Sequence, residues 1–268
     1  MQPYGWAIVL LIAATTGATD PGAAGQPEIM VYAAASLRDV LETIDPICEM
    51  QAGVHLVHNF GASNDLARQI VAADKADIFF SADDAWMDHV VEAGLVDTAS
   101  RRALLSNRLV VVVPADSNIP IRSVADLTLD AVNRVSLANP EAAPAGRYAK
   151  AWLQTAGVWD KVAGKVVPAP DVRAALATVE AGAVEAGIVY RTDAAISRRA
   201  KVAFVAPADQ GPRISYPVAA LKDRPHLDAA RRAIACYGGV KAKDLFERAG
   251  FIVLGVGTTS DRAAAPRR

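Results

Sequence analysis

Four consecutive valines, Val110 to Val113, sit near the middle of this 268-residue chain, and they limit its possible folds more than any other feature. An unbroken β-branched run suits a strand covered on both faces, because alternation would otherwise put half of it in water. A sheet buried on both sides needs helices above and below, and the flanking sequence supplies them. Residues 28–32 (EIMVY) read as a strand. Residues 36–51 read as an amphipathic helix, with Leu37, Val40, Leu41, Ile44, Ile47 and Cys48 on one stripe. Strands at 54–59 and 78–80 alternate with helices at 63–73 and 83–93. After the valines come strands at 135–137, 165–167 and 186–189 with helices at 145–156 and 171–181. A strand at 214–221 then leads into helices near 225–237 and 241–248. Repeated βα units predict an α/β fold of mostly parallel sheets flanked by helices. Two such sets with a return segment predict two lobes joined by crossing strands. Ligands of such folds sit in the crevice at the carboxyl ends of the strands.

The charge balance, Lys+Arg 28 against Asp+Glu 29, leaves no electrostatic footprint for nucleic acid or an acidic membrane surface. An anion would have to be caught by local geometry. Residues 6–14 (WAIVLLIAA) form an apolar run too short to span a bilayer, with small-residue cleavage sites at 16–18 and 22–24. This predicts an exported chain whose mature part begins between residues 19 and 28, although residues 1–5 lack the usual Lys or Arg. Residues 255–268 read as a disordered tail. Cys48 and Cys236 would lie on helices of one lobe, and a disulfide and two buried thiols both remain open. The four His are scattered and there is no CxxC, so no metal site is expected.

The strand ends carry the chemistry. Ser36 stands after the first strand as a helix cap, with Asp39 three residues on as in a capping box. Ser63 repeats the arrangement behind Gly61 and Ala62, which leave the backbone bare to a small ligand. Pro144-Ala145-Gly146 opens a helix with Pro in its first turn, and Asp171 caps the helix that begins with Val172. Tyr190 closes a strand with a phenol that stays protonated at pH 7. Helix starts aimed into one cleft offer free N–H groups and positive dipole ends, enough to hold an oxyanion without Lys or Arg. Arg38, Arg68 and Arg173 read as solvated, with an interlobe ion pair as the alternative for Arg173. Asp77, Asp83 and Asp84 read as caps, and Trp86, Trp152 and Trp159 as packing residues. No His, Cys or carboxylate pair falls in the cleft to move protons or attack a substrate, and no G-x-S-x-G or GK[ST] motif occurs, so catalysis is not expected.

Several stretches in fixed order carry a family resemblance. AAASL (33–37), FGASNDLARQI (60–70), ADIFFSADDAWMD (76–88), NPEAAPAGRYAK (139–150), APDVRAALATVE (169–180), AGIVYRTDA (186–194) and YPVA (216–219) resemble the periplasmic molybdate-binding proteins of ABC importers. The resemblance implies a two-lobed type II periplasmic binding-protein fold, with residues 27–108 and 216–254 in one lobe and 109–215 in the other. Residues 1–26 read as the leader and the start of the mature chain. The resemblance also implies ligand contacts from Ser36, Ser63, Ala145, Val172 and Tyr190, the serines through hydroxyl and N–H, Ala145 and Val172 through N–H, and Tyr190 through its hydroxyl. Asn64 departs from members with a further hydroxyl residue there. The implied partners are molybdate or tungstate and a membrane permease, for a monomer without a cofactor. Sulfate is the rival ligand, having the same shape and charge in a smaller ion. Ferric ion and polyamines would require Tyr–His or acidic clusters that are not apparent.

Overall fold

A computed structural model describes residues 26–73 and 75–255. The expected leader and the expected tail lie outside the described residues, save for Gln26 and Gly255. Strand β1 (Glu28–Ala34) passes through a 3-10 turn (Ala35–Leu37) into helix α1 (Arg38–Ala52). Then follow β2 (His55–Gly61), α2 (Ser63–Ala73), β3 (Ile78–Phe80), α3 (Asp84–Glu92) and β4 (Arg102–Ser106). The second lobe runs β5 (Leu109–Pro114), β6 (Val135–Ala138), α4 (Pro144–Thr155), α5 (Trp159–Val162), β7 (Val166–Ala169), α6 (Val172–Glu180), β8 (Ala186–Tyr190), α7 (Arg191–Ile196) and β9 (Ala200–Val205). The chain returns through β10 (Tyr216–Ala220), α8 (Leu227–Tyr237), α9 (Val240–Arg248) and β11 (Ile252–Val253).

The strands form two sheets, in the orders β11-β4-β10-β3-β1-β2 and β7-β6-β8-β5-β9. The expected α/β architecture is present, but the sheets are mixed rather than mostly parallel. Strand β1 pairs parallel with β2 and β3, and β6 with β7 and β8. By contrast, β10 runs antiparallel to β3 and β4, and β5 antiparallel to β8 and β9. The cause is the crossing. Strands of βα units run toward the cleft, whereas β5 and β10 each carry the chain away from it on entering a lobe. Val110 to Val113 are buried between β8 and β9, as their unbroken branching requires. Strands β4, β9 and β11 escaped the sequence reading because they are half-exposed or only two residues long.

Cys48 of α1 and Cys236 of α8 are joined in a disulfide across 188 residues. It ties the first segment of the lobe to the return segment, the two pieces that the intervening lobe separates in sequence, and a closure this long restricts the unfolded chain strongly.

Beside the disulfide lies a polar trio made of buried Tyr237 and half-buried Asp45 and His58. Tyr237 Oη donates to Asp45 Oδ1 at 3.3 Å, and His58 Nδ1 stands 3.4 Å from Asp45 Oδ2. Burial pushes the Asp45 carboxyl up to about 7 and the His58 imidazole down to about 4; both neutral forms are the ones the fold prefers. Because the folded value of Asp45 lies above its unfolded one, its contribution is fully present below about 4, is lost as pH rises from there to about 7, and stays lost above that. Asp45→Asn, which mimics the protonated acid, is expected to raise Tm more at pH 8 than at pH 5. A change independent of pH would contradict this.

Candidate ligand-binding site

The site begins with strand register. In the first lobe Ala34 of β1 lies opposite Gly61 of β2, so both loops leave the sheet at one level and Ser36 and Ser63 follow two residues later. In the second lobe Ala138 of β6 lies opposite Ala169 of β7, and α4 and α6 start just beyond. Strand β8 ends on Tyr190. Ser36, Ser63, Ala145, Val172 and Tyr190 are all buried, and all five line one cavity of about 20 Å³. That is somewhat more than one water needs, about 10–15 Å³, and far below the roughly 300–1,000 Å³ of pockets for drug-sized ligands. The rest of the lining is small: Ala34, Ala35, Gly61, Ala62, Ala82, Ala138, Ala143 and Pro144, with Asp171 its one charged residue and no Lys, Arg or His.

Ser36 is not the helix cap expected from the sequence. It is the middle residue of the 3-10 turn, whose cap position is Ala34 with no side-chain bond, and no capping box with Asp39 forms. The tightened turn instead directs Ser36 Oγ to Tyr216 Oη, 3.0 Å away. Ser63 does open α2, but its Oγ accepts the Ala82 N–H at 2.9 Å. With that lone pair occupied, the Ser63 proton is left to donate elsewhere.

The second lobe offers backbone donors. The Asp171 carboxylate accepts from the N–H groups of Arg173 (2.8 Å) and Ala174 (2.9 Å), so the cap does not take up the first-turn N–H of Val172, a residue of the cavity wall. Helix α4 has Pro144 in its first turn, and its first intrahelical bond is Arg147 N–H to Ala143 at 2.9 Å. The Ala145 N–H precedes that bond and has no acceptor inside the helix. Tyr190 Oη is buried without a hydrogen-bond partner. Burial holds its phenol well above the usual value, so it is a neutral donor. An orphaned buried hydroxyl of this kind costs about 1–3 kcal/mol until something accepts from it.

The lobes also touch directly around the cavity. Arg173 on α6 pairs with Asp39 of the first lobe and, at 2.5 Å, with Asp193 of its own lobe. It is therefore an interlobe bridge, not a solvated side chain. Asp193 is fully buried, and burial pushes its carboxyl up to about 7 against the pull of Arg173. Arg147 Nη1 reaches Asp83 Oδ2 of the first lobe at 3.0 Å, and burial pushes that carboxyl up to about 6. Trp86, expected to serve packing, donates its indole N–H across the cleft to Ala142 O at 2.8 Å. Asp83 caps α3, while Asp77 is no cap: it accepts the Met30 N–H at 2.8 Å and pairs with Arg224 at 3.1 Å. Asn64 is buried, donates to Asp65 Oδ1 at 2.7 Å and takes no part in the cavity wall.

The sequence reading passed over Gly146 as a site determinant. A Cβ there would lie 2.1 Å from Ala138 O and 2.4 Å from Asn139 O, so only glycine lets α4 start against the end of β6. Gly146→Ala is expected to displace that helix start and abolish ligand-induced thermal stabilisation. Retained stabilisation would show that the α4 start is not part of the site.

Residues 29–252 match the family model described as bacterial extracellular solute-binding protein. The molybdate-binding protein ModA of Escherichia coli (strain K12) is 40% identical over 240 residues, which is 86% of this chain and 91% of that protein. Among solved structures, the periplasmic molybdate-binding protein of Azotobacter vinelandii superposes with a TM-score of 0.75 at 22% identity, covering 85% of this chain and 100% of the other. The sulfate-binding protein SubI of Mycobacterium tuberculosis superposes with a TM-score of 0.74 at 21% identity, covering 84% and 86%. The last two show a shared fold, and that fold is common to proteins named for different oxyanions.

Proposed function

We propose, from the premise that this chain belongs to the bacterial extracellular solute-binding proteins, that it captures molybdate outside the cytoplasm and delivers it to the membrane permease of an ABC importer. The observation that carries the reading is the convergence of five neutral donors from two lobes on one small cavity without Lys, Arg or His in its wall. A bound dianion is stabilised there by the Ser36, Ser63 and Tyr190 hydroxyls, by the Ala145 and Val172 N–H groups, and by the dipoles of the helix starts. The 40% identical relative named for molybdate supports this ion over sulfate. Tungstate shares the charge and shape of molybdate and is expected to bind alongside it. The matching family is one of solute-binding proteins, which supports capture and release of an unchanged ligand.

Donor-only geometry also orders the competitors. Hydrogen phosphate carries a proton that needs an acceptor, whereas molybdate and sulfate carry none at neutral pH. The cavity is lined by donors, and the Asp171 carboxylate is engaged with two N–H groups of its own helix. Phosphate is therefore disfavoured by an unsatisfied contact, and sulfate by its smaller radius in a rigid shell.

Titration calorimetry tests the reading. Molybdate is expected to bind more tightly than sulfate, with phosphate weaker than both. Ser36→Ala and Ser63→Ala are each expected to cost about 1–3 kcal/mol, roughly 5- to 150-fold in Kd, as charge-assisted bonds in a dry site are lost. Tighter sulfate binding, or unchanged affinity in both variants, would contradict the assignment.

A further inference from the structure

The segments that cross between the lobes carry a chain of hydrogen bonds ending at Ser36. Asn107 lies in the first crossing, between β4 and β5, and Tyr216 ends the second as the first residue of β10. Asn107 Nδ2 donates to Thr192 Oγ1 on α7 at 2.9 Å and to Tyr216 Oη at 3.4 Å. The orientation of that amide is set from its other side, where Asn107 Oδ1 accepts the Arg108 N–H at 2.8 Å. Tyr216 Oη in turn lies 3.0 Å from Ser36 Oγ. Asn107, Thr192, Tyr216 and Ser36 are all buried. The Tyr216 ring is wedged between Tyr190 (centroids 5.8 Å apart) and Phe251 (5.6 Å), so its hydroxyl has little freedom to move.

The proton positions follow by elimination. An amide nitrogen can only donate, so the Tyr216 oxygen accepts from Asn107. The phenol proton then has Ser36 Oγ as its acceptor, and the Ser36 proton is released toward the cavity. Ser63 reaches the same state by accepting from Ala82 N–H. We propose that Asn107 and Tyr216 are positioning residues that fix Ser36 as a hydrogen-bond donor to the bound oxyanion, and that they tie the direction of its proton to the interlobe crossings. This rests on the functional reading given above, since it concerns one of the proposed contacts.

A double-mutant cycle read by calorimetry with sodium molybdate tests it. Tyr216→Phe keeps the packed ring and removes the hydroxyl. In the otherwise wild-type chain it is expected to weaken molybdate binding about threefold to tenfold, the size of one lost hydrogen bond. In a Ser36→Ala background the same change is expected to cost less than about twofold, because the group through which Tyr216 acts is gone. Thr192→Val, which loosens the Asn107 amide, should weaken binding with the same dependence on Ser36. An equal loss in both backgrounds would mean that Tyr216 only packs, and no loss in either would mean that it does not act on Ser36; both results overturn the proposal while leaving molybdate capture intact. A wild-type chain that fails to bind molybdate would overturn the functional reading and this inference together.

Discussion

A doubly charged anion cannot be taken out of water unless its oxygens are hydrogen-bonded, because the desolvation cost in a protein interior is several kcal/mol per charge even after relaxation. The cavity between the lobes answers that demand without a countercharge. No Lys, Arg or His lines it, and the Arg173 guanidinium beside it is paired with Asp39 and Asp193. The proposed contacts are hydroxyl and amide donors, and the surrounding structure brings them together. Small residues at 34, 35, 61, 62, 82 and 138 bring backbone close. Paired strand ends set the two serine loops at one level.

The same demand explains why the site is divided between lobes. Donors from one sheet would reach an ion from one side only, and the proposed contacts on α4, α6 and Tyr190 lie across the cavity from them. Closure is held by Arg173–Asp39, Arg147–Asp83 and the Trp86 indole to Ala142, contacts that ring the cavity rather than enter it. The Cys48–Cys236 disulfide does a different job. It fastens the return segment to the first segment, so the lobe built from two distant pieces of sequence is covalently tied.

Much of this was legible in the sequence, for identifiable reasons. The valine run, the βα alternation and the Pro144 and Asp171 helix starts are local signals, and all appear where the residues place them. Ser36 was misread as a cap because cap and buried donor share one residue type; only tertiary contact with Tyr216, 180 residues away, decides between them. Strand direction failed for a related reason, since β5 and β10 look like any apolar strand and their antiparallel sense comes from the crossing. Gly146 carried no signal beyond being glycine, because the carbonyls it must avoid belong to the preceding strand and loop. The state of the two cysteines was equally a matter of distance in space.

The central claim is that neutral donors alone hold the anion. Crystals grown with molybdate, with data collected at the molybdenum edge, test it most directly. The account predicts one anomalous peak between the lobes, with its oxygens about 2.7–3.1 Å from Ser36 Oγ, Ser63 Oγ, Tyr190 Oη and the Ala145 and Val172 nitrogens. A peak elsewhere, or one whose oxygens are bonded to an Arg or Lys side chain, would contradict it.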